Sequence, residues 1–285
     1  MKKILFGFMT LALLAGCSNG DMPDMGGVDS MTGKPVQVSA GVDALTTRAG
    51  MTTGDLTTLG LTIVNPNSPE YSFSNVKYEK NGSTFSAAGE TTPVWQNRTQ
   101  EVSVTAYAPY KEVWTGEQSL SVQTDQSTAE AVKASDLLWA QNVVNPSGET
   151  QTGDIFCNRQ GRLVVNLQHK MSKLVVNLRY LNEIGTDVNV RSLTVKYLST
   201  GYTFNTETGA ISNLGAAEDI VAYKEAKAAE GYKDCFEAIF PPQNMAFKLV
   251  VLLDNGQDFI YHNPTFDFQS DIAYTLNLAV GKDKG

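Results

Sequence analysis

Histidine is nearly missing from this sequence, which has two in 285 residues, His169 and His262. Neither has a second potential ligand at metal spacing, so the pattern argues against a zinc site. His169 fits a hydrogen-bonded structural role better than that of a catalytic base, and His262 fits a surface Asn/Pro turn. A G-x-S-x-G elbow and a phosphate-cradling glycine loop are also lacking. Carboxylates are plentiful, yet no glycosidase pair stands out among them. The chain is therefore read as not an enzyme, with no cofactor and no metal. Basic clusters with interleaved aromatics are missing too, and the net charge of −8 with pI near 4.9 makes nucleic acid an unexpected partner. After the N-terminal run described below, no segment approaches the roughly 20 uninterrupted apolar residues of a membrane-spanning helix.

Lys2 and Lys3 precede an apolar run over residues 4–15. As a helix that run covers roughly 18 Å, short of a ~30 Å hydrocarbon core. It reads as the hydrophobic region of a signal peptide. The run ends in Leu14-Ala15-Gly16-Cys17, which resembles the lipobox of bacterial lipoproteins. That resemblance implies cleavage before Cys17 and lipidation of its thiol, with palmitate among the acyl groups. Of the remaining cysteines, Cys157 and Cys235, an export compartment permits a disulfide, and two buried thiols suit the sequence as well.

Residues 18–35 are rich in Gly, Asp, Met and Ser and read as a flexible tether. Asp29-Ser30-Met31 fits a short O-glycosylation pattern, while Asn81-Gly82-Ser83 and Asn97-Arg98-Thr99 read as exposed turns. From Pro35 onward, period-two alternation dominates, over residues 36–40, 71–78, 101–107, 163–168, 173–180, 193–197, 247–253 and 274–280. Turn signals separate these runs, among them Asn65-Pro66-Asn67, Asn81-Gly82, Asn145-Pro146 and Asp254-Asn255-Gly256. The expected fold is all-β, with antiparallel sandwiches. The one helix expected lies over residues 216–233, which are rich in Ala, Glu and Lys. A seam near His169 divides the expected sandwich domains into residues 36–168 and 169–285. Trp95, Trp114 and Trp139 could line a sugar-stacking platform or close the ends of the cores, and the second reading is preferred.

Several blocks in order resemble the fimbrillin family of pilus-subunit lipoproteins. They are Thr46-Thr47-Arg48-Ala49-Gly50, Pro93-Val94-Trp95, Asp136-Leu137-Leu138-Trp139-Ala140, His169-Lys170-Met171-Ser172, Phe240-Pro241-Pro242-Gln243 and Tyr274-Thr275-Leu276-Asn277-Leu278. The resemblance implies two tandem transthyretin-like β-sandwiches and a subunit located at the outer membrane, surface-exposed, in a fimbrium. It implies a lipid anchor in the outer membrane before processing, then cleavage after Arg48 that makes Ala49 the new N-terminus. The segment removed includes the first strand, and a strand from another fimbrial subunit takes its place. Only residues 281–285 follow the last alternating run, a reach of roughly 17 Å without apolar alternation. The expectation is a tip or accessory subunit that accepts a strand without donating one. The competing reading is a non-polymerising surface lipoprotein that binds a glycan or protein.

Overall fold

The computed structural model describes residues 31–43, 50–148, 152–181 and 188–281. In the first half the strands are β1 (Val38–Val42), β2 (Thr58–Val64), β3 (Phe73–Asn81), β4 (Thr84–Ala87), β5 (Val102–Ala108), β6 (Glu117–Ser121), β7 (Leu138–Val144), β8 (Ile155–Cys157) and β9 (Leu163–His169). The second half contains β10 (Ser172–Tyr180), β11 (Val190–Ser199), β12 (Gly201–Asn205), β13 (Ile211–Ser212), β14 (Ala217–Val221), β15 (Tyr223–Lys224), β16 (Asp234–Phe240), β17 (Gln243–Leu253), β18 (Asp258–Phe268) and β19 (Ala273–Val280). The all-β expectation holds.

Alternation in the sequence becomes alternation in burial. On β5, Val102, Val104 and Ala106 face inward, with Ser103 and Thr105 between them turned outward. β3 and β4 form a hairpin through Gly82-Ser83, where Gly82 has φ +62°, a value that favours glycine.

β1, β4, β3, β2, β5, β7 and β9 follow one another in a single sheet, and a β1–β9 pairing closes it into a ring. An open sandwich does not describe this half, because the two flanks of the sheet meet. Its core includes Val38, Leu59, Leu61, Tyr78, Val104, Leu163 and Val165. In the second half, the sheet β14-β11-β17-β18 packs face to face on β15-β16-β10-β19.

Residues 216–233 are not helical, contrary to expectation. They form β14 on the edge of β11, then β15 beside β16, and then irregular chain. Pairing along a free sheet edge overrides their helix propensity. The α-helix that does form among the described residues is α1 (Ala129–Ser135), which the sequence reading missed. The Thr128 hydroxyl caps it by accepting from Ala131 N–H, with Glu130 in its first turn and Lys133 in its last.

The two halves are stitched together by main chain. β6 pairs with β12, and Gln126 N–H donates to Val221 O at 2.9 Å. The fully buried Gln126 side chain then clasps Ile239, with Nε2 donating to Ile239 O at 2.7 Å and Oε1 accepting from Ile239 N–H at 2.8 Å. Gln126→Leu keeps the bulk and strands two buried backbone groups, each worth about 1–3 kcal/mol when left unpaired. A urea titration should show the unfolding midpoint falling accordingly. An unchanged midpoint would mean that this clasp contributes nothing to the junction.

Candidate functional site: a ring closed by its first strand

β1 is the piece on which closure of the ring depends. It runs parallel to β9 in register from Val38 opposite Leu163 to Val42 opposite Leu167. Leu163 N–H donating to Gln37 O and Asp43 N–H donating to Leu167 O extend this ladder at its two ends. On the opposite flank β1 meets β4 at a single residue pair, Val38 with Phe85. Val38 is fully buried and the other β1 residues are partly so. Gly41 contributes no side chain to the contact, and parallel pairing is slightly weaker per residue than antiparallel. The seam between β1 and β4, one residue pair, is the thinnest in the ring. The expected position of β1 at residues 36–40 is shifted by two, to 38–42.

The segment before β1 is threaded into the same half. Gly33 N–H donates to Trp95 O at 2.8 Å, Trp95 N–H to Lys34 O at 3.0 Å, and Val36 N–H to Pro93 O at 2.8 Å. The buried Tyr78 hydroxyl donates to Val36 O at 3.0 Å. Met31 packs over Gly161, where a Cβ would stand 2.1 Å from the Met31 Cε. These contacts turn residues 31–43 into one long insert lying across the ring.

On the far side of residues 44–49, the chain is tied to β1, where Val42 N–H donates to Thr53 Oγ1 at 2.9 Å, and also to residues outside the ring closure. Met51 N–H donates to Asp136 Oδ2 at 2.8 Å, and the buried His169 places Nδ1 2.8 Å from the same oxygen. Burial pushes the nearby Asp271 carboxyl upward and the Lys170 ammonium downward in pKa. His169 is thus tied to Asp136 at the junction. His262 is exposed, as expected, but it lies within β18 rather than in a turn. Asp136 appears in the sequence only as part of a resemblance block, and its anchoring role leaves no local trace because its partners lie 85 and 33 residues away.

Cys17, Arg48 and Ala49 lie outside the described residues. The three tryptophans do not assemble into a platform. Trp95 is buried in the first core with Nε1 donating to Gly161 O at 2.9 Å. Trp114 stacks on Tyr107 at 3.9 Å between centroids. Trp139 is half-buried and donates to Thr206 O at 3.1 Å. Cys157 and Cys235 lie in different sheets, on β8 and β16.

This is an all-β scaffold whose first half is a sheet closed by its N-terminal strand. The family model described as fimbrillin-like matches residues 46–285, and the chain belongs to that family. The fold is similar to that of a Bacteroides ovatus protein provisionally described as a cell adhesion protein, at 20% identity, 87% of this chain, 92% of that one and a TM-score of 0.66. A Bacteroides uniformis protein with the same provisional description is similar at 17% identity, 87% of this chain, 93% of that one and a TM-score of 0.60. No curated protein matches the sequence.

Asp136→Ala removes the anchor of Met51 N–H and of His169. Proteolysis within residues 50–57 should accelerate severalfold while β2 stays folded. Unchanged cleavage kinetics would show that Asp136 does not hold this segment. Burial pushes the Cys157 thiol up to about 12, so iodoacetamide at pH 8 should spare it in the native protein and label it after unfolding. Rapid native labelling of Cys157 would contradict the buried position of β8.

Proposed function

We propose that the chain is a fimbrial subunit, exported as a lipoprotein on Cys17, whose insert of residues 31–43 is released by cleavage after Arg48 and replaced by a strand of a neighbouring subunit. The observation that carries this reading is the position of β1 between β4 and β9. Its covalent link to β2 and the strands that follow runs through residues 43–50, which include Arg48. Removing β1 leaves β9 with an unpaired backbone flank and opens a slot over Leu163, Val165 and Phe85. An incoming strand with alternating apolar side chains restores both the ladder and the core, which is β-augmentation. The family match starts at residue 46, so β1 lies outside the shared region. Asp136 keeps Met51 in place after the cut.

The acceptor-only role, as a tip or accessory subunit, finds support in β19. It is paired to β10 over eight residues, from Ala273 opposite Lys173 to Val280 opposite Tyr180. Its Tyr274, Leu276, Leu278 and Val280 pack on the second core, so lending it out would unseal that core. The same reading treats residues 36–168 and 169–285 as two domains and the second as transthyretin-like, supported by its two four-stranded sheets. It places the subunit at the outer membrane before processing and in the fimbrium afterwards.

The test is digestion of the purified protein with an arginine-specific protease in the presence of a synthetic peptide covering residues 31–43. The cut wild-type chain should lose its own insert, bind the added peptide and, with partner subunits, enter ladders stable in detergent. Arg48→Ala should stay uncut and monomeric. Ladders formed equally well by Arg48→Ala would remove the basis of the reading.

A further inference from the structure

A groove of about 500 Å³ crosses the outer face of the ring where the two halves meet, a size typical of small-molecule sites. Its floor is built in rows fixed by strand register. Thr62 of β2, Thr105 of β5 and Gln141 of β7 stand side by side, and the next row is Val64, Ser103 and Val143. One wall is the Trp114–Gly116 loop, where stacking on Tyr107 fixes the Trp114 ring. The other wall is Thr206 and Glu207, from the second half.

Three features define what fits there. The floor is uncharged in a protein of net charge −8, and Glu207 is the one ionisable residue lining the groove, so neither an anion nor a strong cation is matched. Among the described residues, the side chains of Ser103, Thr105 and Gln141 make no hydrogen bond within the chain, and hydroxyl and amide groups both donate and accept. Val64, 51% exposed, lies beside Ser103 and offers a small apolar surface next to the polar groups. An extended peptide is disfavoured because β2 and β5 are paired on both sides and present no free backbone edge. A ligand with many hydroxyls, apolar C–H faces and no charge satisfies all three.

We infer that this groove binds a short neutral saccharide, held by side-chain hydrogen bonds from Thr105, Gln141 and Ser103 and by apolar contact with Val64. The site lies on the outer face, away from the β1 slot, so the inference stands apart from strand exchange and can be tested on uncut monomer.

Saturation-transfer NMR on the full chain, with maltotriose, cellotriose, xylotriose and chitotriose as neutral probes and sialyllactose and spermidine as charged ones, reads this directly. At least one neutral trisaccharide should saturate at millimolar concentration. Its affinity should fall about tenfold in Thr105→Val and in Gln141→Ala, with the melting temperature unchanged because both positions lie on the wet face. Thr105→Trp should abolish binding by filling the groove. Silence from every neutral probe would overturn the inference. So would preferential binding of a charged probe, or neutral binding that survives Thr105→Trp. Loss of ladders with saccharide binding intact would count against strand exchange alone.

Discussion

A β-strand cannot leave its backbone donors and acceptors unpaired against an apolar core, and the arrangement of this protein follows from how β9 meets that requirement. One flank of β9 is served by β7 and β8 and the other by β1. β1 comes from more than 120 residues earlier in the chain, carries Gly41 near its end and touches β4 at one pair. The ring is therefore closed through a strand with one thin seam, that between β1 and β4. Burying Val38 alone is worth about 1.5–3 kcal/mol, and the ladder to β9 adds hydrogen bonds of about 1 kcal/mol each. That is enough to seal the intact chain, and the proposed function asks a strand from another molecule to match it.

The rest of the architecture is held by broader contacts. The second half joins its sheets around a continuous core, and β19 is committed to β10 along its whole length. The junction is held by the β6–β12 ladder, by Gln126 on Ile239, and by a mixed apolar cluster in which Trp114, Tyr107, Met171, Phe204 and Ile239 meet. On the C-terminal side of the connecting segment, Asp136 grips Met51. The chain belongs to the fimbrillin-like family, whose model matches residues 46–285.

Much of this was legible in the residues. Alternation located the strands because each has one wet face and one dry face, as Val102-Ser103-Val104-Thr105-Ala106 illustrates. Turn pairs such as Asn81-Gly82 marked a real hairpin. Ring closure was not legible, since a parallel pairing between Val38 and Leu163 leaves no local trace. Residues 216–233 misled because Ala, Glu and Lys favour a helix in isolation, whereas the open edge of β11 recruits residues 217–221 into a sheet. The short helix α1 was announced only by Thr128 and the charges at its two ends, a signal too brief to outweigh the surrounding strand pattern. For the candidate site, the resemblance singled out Arg48 and its neighbours, while Tyr78, Trp95 and Asp136, which hold the flanking segments, gain meaning only from contacts across the fold.

Hydrogen–deuterium exchange at the β9 amides measures the central claim most directly. Intact protein should protect Leu163, Val165 and Leu167 about as well as the interior strand β5. Cleavage after Arg48 and removal of the insert should speed their exchange by orders of magnitude while β5 and β10 stay protected, and adding a donor strand should restore the slow rates. Protection of β9 that is unchanged by loss of the insert would show that β1 does not close the ring, and the account built on its replacement would fail.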